Sequence, residues 1–280
     1  MTILVTGGRG KIARAVAEGL LTVGLDVRVA SREPAAAPAA AGLAPVLLDV
    51  SDPASLSAAL QDVTQVFLYA NPFTAQAFVD TAEAAGVKQV VLMSSAAAQE
   101  HSASAEADSH GAAERIIAAG SFATTFLRPG AFMSNAHYWS HSIKATGQVR
   151  LPYLDVEEAP IHEQDIADVA IQVLLDGSGS EHDGQGYELT GPESMTRRRQ
   201  IELVGEITGI QVEPVDLTPE QGREELGRAI RSEAQLESLL SYWASRIGIP
   251  HPVEPTVERI TGHPGRPFTT WLRENLATFR

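Results

Sequence analysis

The sequence contains no cysteine, and this absence excludes disulfide bonds, thiolate metal ligands and a catalytic thiol. Basic residues are also scarce, since 21 Lys and Arg stand against 35 Asp and Glu and give a formal net charge of −14. This excess of negative charge argues against a nucleic-acid or anionic membrane partner. The chain shows no signal-peptide pattern before its first strand and no apolar run long enough to cross a bilayer, which favours a cytoplasmic protein.

The first half of the 280-residue chain alternates short apolar strands with helices. The strands read as continuous apolar runs, as expected where both faces of a parallel sheet are covered. The pattern predicts an α/β fold with a doubly wound parallel Rossmann sheet and a smaller, mainly helical C-terminal substrate or lid region. The predicted strands are residues 3–5, 27–30, 45–48, 66–69, 89–93 and 124–127. The predicted helices of this half are residues 10–23, 53–60, 74–85 and 105–119.

The first strand runs directly into a glycine-rich turn, and a helix pattern follows at once. This order of strand, turn and helix binds the pyrophosphate of a dinucleotide on the helix N-terminus. Gly7 or Gly8 permits the sharp turn, Gly10 lets the backbone approach the phosphates, and Ala13 keeps the helix close to the strand. The segment therefore predicts a dinucleotide site, with an ordinary turn as the alternative.

The end of the second strand discriminates between the two nicotinamide cofactors. An acid there would accept hydrogen bonds from the ribose hydroxyls and favour NAD, but this chain has Ser31 and Arg32. A guanidinium matches the geometry of a 2′-phosphate, so these residues predict NADPH/NADP. Arg9 in the glycine turn approaches the same region, and Glu33 lies one position late for the NAD role. The alternative is that Arg32 is only a surface charge.

The predicted cofactor-binding residues share a position at the end of a strand or at the start of a helix. They are Gly7, Arg9, Gly10, Lys11, Ile12, Ser31, Arg32, Asp49, Val50, Tyr69, Ala70, Asn71, Ser94, Pro129, Gly130, Ala131 and Phe132. Asp49 is placed to contact the adenine, and a plain loop role is the alternative.

Five segments together resemble the NmrA-like group of atypical short-chain dehydrogenases/reductases. They are residues 6–13, 48–50, 91–95, 125–133 with Asn135, and 160–169. The resemblance implies a seven-stranded Rossmann sheet, NAD(P)(H) bound at the strand ends, and a small C-terminal substrate region.

The chain departs from the catalytic members of that family at one motif. Those members use a Tyr-x-x-x-Lys pair, in which the tyrosine donates the proton to the carbonyl and the lysine lowers its pKa. Counted back from Glu114, the two positions are Glu106 and His110, and no Tyr-x-x-x-Lys occurs anywhere in the sequence. The usual acid is therefore missing beside an apparently complete cofactor motif.

The sequence favours an enzyme, an NADPH-dependent ketoreductase that reduces a carbonyl of a large aromatic, polyketide-like substrate. Angucyclinone ketoreductases of this family, which belong to antibiotic biosynthesis, combine a missing acid with a lid. The proton would come from an acidic hydroxyl of the substrate or from a histidine, and the candidate catalytic residues are Ser95, His101 and His110. The alternatives are an NADP(H)-binding redox sensor without catalysis and an NAD(P)H:quinone oxidoreductase.

Aromatic residues after the sixth strand suggest a pocket for a flat substrate. The predicted lining residues are Phe132, Met133, Tyr138 and Trp139. Ordinary core packing is the alternative. His137 and His141 lie four residues apart but lack a third ligand, so no metal site is predicted.

The predicted division is a Rossmann core for NADP over residues 1–150 and a mixed region over residues 151–280 that completes the sheet and forms the substrate pocket. Helices are predicted here at residues 163–175, after Thr196, after Thr218 and around Trp271. Residues 212–267 are the candidate lid, with a simple packing subdomain as the alternative. The expected partner is a small aromatic ketone, and the expected state is a monomer or homodimer.

Overall fold

The computed structural model describes residues 1–36, 43, 45–69, 71–99, 110–228, 230 and 232–280. The strands within them are β1 (Thr2–Val5), β2 (Asp26–Ser31), β3 (Val46–Leu47), β4 (Val63–Tyr69), β5 (Gln89–Met93), β6 (Ala123–Pro129), β7 (Gln148–Pro152), β8 (Glu157–Glu158), β9 (Gln185–Leu189), β10 (Met195–Thr196) and β11 (Glu213–Leu217). The helices are α1 (Lys11–Thr22), α2 (Pro53–Leu60), α3 (Ala75–Ala85), α4 (His110–Ala118), α5 (Ser140–Thr146), α6 (Glu163–Asp176), α7 (Arg197–Thr208), α8 (Pro219–Gly227), α9 (Glu233–Arg246), α10 (Thr256–Thr261), α11 (Phe268–Glu274) and α12 (Leu276–Phe279). None of the helices in these ranges is long and apolar enough to span a membrane.

The described residues form one sheet of seven strands, in the order β3-β2-β1-β4-β5-β6-β9. Every neighbouring pair in this sheet is parallel. The predicted doubly wound parallel sheet is confirmed. The strand order changes direction at β1, whose neighbours are β2 and β4, and ligands of open α/β sheets bind at such a switch point.

Local sequence explains where the first helices begin and end. Asp52 accepts a hydrogen bond from the Ala54 N–H at 3.0 Å and Pro53 opens α2, as predicted for a capping residue followed by proline. The helix α3 ends at Gly86, which has a left-handed φ of 78°. The helix α1 buries Ile12, Val16 and the residues that share their face. The predicted boundaries of these three helices are confirmed to within one residue.

The chain divides into two compact units that do not follow the predicted boundary at residue 150. The first unit comprises Met1–Gly130, Glu163–Leu189 and Thr256–His263, and the second comprises Ala131–His162, Thr190–Pro255 and Pro264–Arg280. Residues 131–150 therefore lie in the second unit, and part of the candidate lid lies in the first. The functional roles assigned to the two ranges and to the lid stay predictions.

The second unit contains strands that the sequence pattern did not predict. The strands β7 and β11 pair in parallel, and β8 pairs with β10 in an antiparallel bridge. The strands β8 and β10 have only two residues each, too few for an alternating pattern to register. Within the candidate lid, the helical region predicted after Thr218 contains two helices, α8 and α9, and α10 follows them. Thr218 forms the predicted capping box with Gln221 at the start of α8.

Candidate functional site

The predicted cofactor residues of the first unit lie at one edge of the sheet. The strands β1, β2, β4, β5 and β6 run parallel, so their carboxyl ends lie at the same edge. The glycine turn follows β1, and Arg32 follows β2. Tyr69 ends β4, and Ser94 follows β5. Tertiary structure thus brings together residues that are far apart in the sequence.

The glycine turn is closed and lies directly on the neighbouring strand. The Gly10 N–H donates to the Gly7 carbonyl at 2.8 Å, and the Gly8 N–H donates to the Ala30 carbonyl at 2.9 Å. A Cβ on Gly8 would lie 2.5 Å from Val29 Cγ1, and Gly7 has a φ of +71°. Glycine is therefore required at both positions, for space at Gly8 and for backbone conformation at Gly7.

Tyr69 covers the glycine turn. A Cβ on Gly7 would lie 2.6 Å from Tyr69 Cε2, so the ring packs directly on the turn. Gly10 provides no side chain to cap α1, but the Tyr69 hydroxyl accepts a hydrogen bond from the backbone of Ala13 in the first turn of the helix. Burial raises the pKa of Tyr69 to about 12, and the bond from Ala13 opposes this shift only in part. The phenol therefore stays protonated at neutral pH and keeps its O–H as a donor.

Replacing Tyr69 by phenylalanine is expected to lower the free energy of unfolding by about 1–2 kcal/mol, because the Ala13 N–H loses its acceptor. Urea denaturation measures this loss. Tyr138→Phe is the control, since that side chain is 85% exposed. Equal stability of the two variants would contradict a capping role for Tyr69.

The residues at this edge fit a dinucleotide. Ser94 is only 5% exposed, and its hydroxyl has no hydrogen-bond partner among the residues that the structure describes. A buried hydroxyl without a partner is costly unless a ligand supplies one. The Ser95 hydroxyl, in contrast, already accepts the Ala97 N–H at 3.2 Å. The unpartnered Ser94 hydroxyl and the N-terminus of α1 are groups that can donate hydrogen bonds to the phosphate and ribose oxygens of a dinucleotide.

The charged and polar residues around the end of β2 differ in whether another residue already contacts their side chains. Arg32 is exposed and forms no hydrogen bond with any described residue. Arg9 forms an ion pair with Glu33, with Nη1 and Oε2 2.8 Å apart. The Ser31 hydroxyl accepts the Glu33 N–H at 3.1 Å. Sequence reasoning missed the role of Glu33, although opposite charges after two strands of one sheet were a signal for it.

The predicted cofactor-binding residues after β3 and β4 have different surroundings. The Asp49 carboxylate accepts both the hydroxyl and the N–H of Ser51, at 2.6 and 3.0 Å, and these bonds lower its pKa. These bonds form a turn at Asp49, and its contact with the adenine stays a prediction. Val50, Tyr69 and Asn71 line a common cavity with Leu68, Thr74, Ala75, Phe78, Leu92 and Ile117.

Of the two predicted catalytic histidines, the structure describes only His110. His101 lies outside the described residues, as do Ala70 and Glu106. His110 is the first residue of α4, and burial lowers its pKa against the opposing charge of Glu114. His110 is therefore neutral at pH 7 and does not replace the positive charge of the missing lysine.

Glu114, the acid that follows the usual catalytic motif, has a structural role here. Its two carboxylate oxygens accept hydrogen bonds from Arg128 Nε and Nη2, at 2.9 and 2.6 Å. This bidentate pair attaches α4 to β6. The sequence analysis did not identify Arg128.

The predicted pocket residues of the second unit differ in how deeply they are buried. Met133 is 1% exposed and belongs to a hydrophobic core with Trp271, and its role as a lining residue stays a prediction. Trp139 packs against the same core, whereas Tyr138 is almost fully exposed. Phe132 forms a backbone bridge with Ile161. Met133 is buried because apolar side chains of the second unit surround it.

His137 and His141, which lie four residues apart, do not share one regular helix. His137 lies in a 3-10 helix over Met133–Trp139, whereas His141 lies in α5. The His137 ring packs edge-on against Trp271, with centroids 4.8 Å apart. Packing therefore explains His137.

One cluster of potential metal ligands occurs in the first unit. Ligand atoms of Asp165, Asp168 and His263 all lie within 4.8 Å of one another. His263 and Asp168 form a 3.3 Å ion pair, and Gln164 donates to Asp168 at 2.9 Å. These contacts join His263, which follows α10, to Asp168 of α6.

Comparisons with known proteins point to nicotinamide chemistry. A family model described as NAD(P)H-binding matches residues 7–177. A (4-alkanoyl-5-oxo-2,5-dihydrofuran-3-yl)methyl phosphate reductase of Streptomyces griseus is 32% identical over 282 residues, which cover 99% of each chain. An NAD(P)H azoreductase of Xenophilus azovorans is 28% identical over 289 residues, again 99% of each chain.

A solved structure has the same fold. It is an NADPH-dependent quinone oxidoreductase of Escherichia coli, with a TM-score of 0.80 and 23% identity. The match covers 98% of this chain and 99% of that chain.

Proposed function

We propose a specific reaction for this chain, which belongs to the NAD(P)H-binding family whose model matches residues 7–177. The chain is an NAD(P)H-dependent oxidoreductase. The proposed reaction is the NADPH-dependent reduction of a carbonyl on a large aromatic, polyketide-like substrate of the angucyclinone type. Its product is the corresponding alcohol, in a biosynthetic pathway such as that of an antibiotic.

The observation that carries this proposal is a dinucleotide cradle without the usual proton donor. The glycine turn and the buried Ser94 hydroxyl are in place, while the chain contains no Tyr-x-x-x-Lys. When bound, the cofactor supplies a hydride from its nicotinamide. A ketone with an acidic hydroxyl beside the carbonyl supplies the missing proton itself, so such a substrate tolerates the loss of the tyrosine. The names of two relatives, a furanone phosphate reductase and an NAD(P)H azoreductase, also support reduction of a small molecule.

Each polar group at the strand ends has a proposed task. The Ser94 hydroxyl donates to the cofactor, and Ser95 orients the substrate carbonyl with the O–H that its bond from Ala97 leaves available. His110, which is neutral at pH 7, is a candidate to relay a proton. Ser31 and Arg32 hold the 2′-phosphate and give the preference for NADPH.

The test is NADPH oxidation by the purified protein with polycyclic aromatic ketones, simple quinones and azo compounds. We expect turnover on a ketone, with deuterium from C4-labelled NADPH appearing on the carbinol carbon. Turnover on quinones alone would contradict the proposal and support a quinone oxidoreductase. Firm NADPH binding without any turnover would contradict it as well and would favour a redox sensor.

Arg32→Ala is expected to weaken NADPH binding by about 10- to 100-fold, because charge-assisted hydrogen bonds to a phosphate are lost. NADH binding should change little, since NADH has no 2′-phosphate. Calorimetric titration of both cofactors measures the difference. Arg228→Ala, which removes an exposed arginine of the second unit, is the control. Equal losses for both cofactors would contradict the assignment of Arg32.

A further inference from the structure

We propose that Glu33 limits the selectivity for NADPH, by holding Arg9 in an ion pair that the 2′-phosphate has to break. Although Glu33 lies one position later than the usual acid, in this proposal its carboxylate also accepts a hydrogen bond from the ribose 2′-hydroxyl of NADH. The chain therefore accepts both cofactors, with a preference that Glu33 reduces. This inference rests on the proposed preference for NADPH.

Strand order places the pair at the adenosine end of the cradle. Arg9 lies in the glycine turn after β1, and Glu33 follows the end of β2. These two strands are hydrogen-bonded neighbours in the parallel sheet, so both residues leave the sheet at the same edge. Arg9 Nη1 lies 2.8 Å from Glu33 Oε2, which is the distance of a charge-assisted hydrogen bond.

The backbone of Glu33 is held in place. Its N–H donates to the hydroxyl of Ser31 at 3.1 Å, and Ser31 is only 5% exposed. This bond uses Ser31 as an acceptor and leaves the Ser31 O–H available to donate to a phosphate. The backbone that carries the Glu33 side chain is therefore fixed beside the proposed position of the 2′-phosphate.

The pair itself is open to exchange with a ligand. The side chains of Arg9 and Glu33 are 45% and 63% exposed, and exposed ion pairs are weak. A 2′-phosphate is a dianion near neutral pH and offers more acceptor oxygens than one carboxylate. Arg9 therefore exchanges one anionic partner for a stronger one when NADPH binds.

The summed charge of the three side chains predicts the direction in which the affinity for NADP+ changes. Arg9, Arg32 and Glu33 carry a net charge of about +1 together, and Glu33→Gln raises it to about +2 while preserving the shape of the side chain. The variant frees Arg9 and removes the carboxylate that repels the phosphate. It also removes the ionised acceptor for the ribose hydroxyl of NADH.

The experiment is calorimetric titration of the full chain with NADP+ and NAD+, supported by kcat/KM for both reduced cofactors. Glu33→Gln is expected to bind NADP+ about tenfold more tightly and NAD+ about threefold more weakly. The control is Glu206→Gln, which breaks a comparable exposed pair with Arg199 in the second unit and should leave both affinities unchanged.

The double variant Arg9→Gln/Glu33→Gln distinguishes two causes of tighter NADP+ binding. One is the release of Arg9 from the ion pair, and the other is the loss of repulsion between Glu33 and the 2′-phosphate. If the ion pair is the cause, Glu33→Gln strengthens NADP+ binding much less in the Arg9→Gln background than in the native chain. An equal gain in both backgrounds would overturn the proposed pair, and an unchanged ratio of affinities would overturn any role for Glu33.

Failure of this inference is distinguishable from failure of the proposed function. A native chain that binds NAD+ more tightly than NADP+ contradicts the proposed preference for NADPH. A native chain that prefers NADP+ and is unaffected by Glu33→Gln contradicts only the role of Glu33.

Discussion

Gly7→Ala is expected to weaken the binding of both NADP+ and NAD+ by about 100-fold and to destabilise the protein by about 2–4 kcal/mol. Two causes act together at this position. The backbone has a φ of +71°, which an alanine adopts only with strain, and the new Cβ would lie 2.6 Å from Tyr69 Cε2. Relief of that clash moves either the ring or the turn that is proposed to hold the pyrophosphate. Calorimetry and urea denaturation measure the two losses.

Gly24→Ala is the matched control for this substitution. Gly24 also has a left-handed φ, +82°, but its added Cβ would meet nothing within 4 Å. Gly24→Ala should therefore lower the free energy of unfolding by only the conformational contribution, about 1 kcal/mol, and should bind both cofactors with native affinity. If Gly7→Ala resembled Gly24→Ala in stability and affinity, the close packing of Tyr69 on the turn would have no functional consequence.

Trp271→Ala is expected to lower the free energy of unfolding by about 3–5 kcal/mol, through lost apolar burial and the cavity left behind. Trp271 is 1% exposed, stacks on Phe268 with centroids 5.9 Å apart, and meets Phe279 edge-on at 6.5 Å. No other described side chain with so little exposure is larger. Urea denaturation followed by circular dichroism measures the loss.

Trp271→Phe is the comparison variant, because it keeps an aromatic ring beside Phe268 and leaves a smaller void. It should lose clearly less stability than Trp271→Ala. A loss below about 1 kcal/mol for the alanine variant would contradict the central place of Trp271 in the core of the second unit.

Local patterns sufficed for the elements around the glycine turn. The apolar run of β1, the turn and the buried face of α1 lie within one continuous stretch, so propensity and periodicity both point to them. Capping chemistry located the start of α2 for the same reason, since Asp52 and Pro53 are neighbours. Strands of only two residues, such as β8 and β10, lacked a pattern long enough to read.

The positions of the candidate site residues followed from the sequence pattern, whereas their interactions did not. The rule that ligands bind at the carboxyl ends of parallel strands selected Arg32, Tyr69 and Ser94, which lie at those ends and whose contact with a ligand stays a prediction. It did not reveal that Arg9 pairs with Glu33 or that Met133 is buried in a core. The presence of a buried orphan hydroxyl at Ser94, rather than at Ser95, also required the structure.

The amino-acid order alone decided the alternation of short apolar strands with helices, the glycine turn and the absence of a Tyr-x-x-x-Lys pair. These properties are local, because each depends on residues within a few positions of one another. Tertiary structure decided the partners of Arg9, Tyr69 and Met133, and it assigned Glu163–Leu189 and Thr256–His263 to the same unit as β1. The physical reason is that strand order and core packing are selected by burial of apolar surface between distant segments, and such long-range pairing leaves no local pattern in the chain.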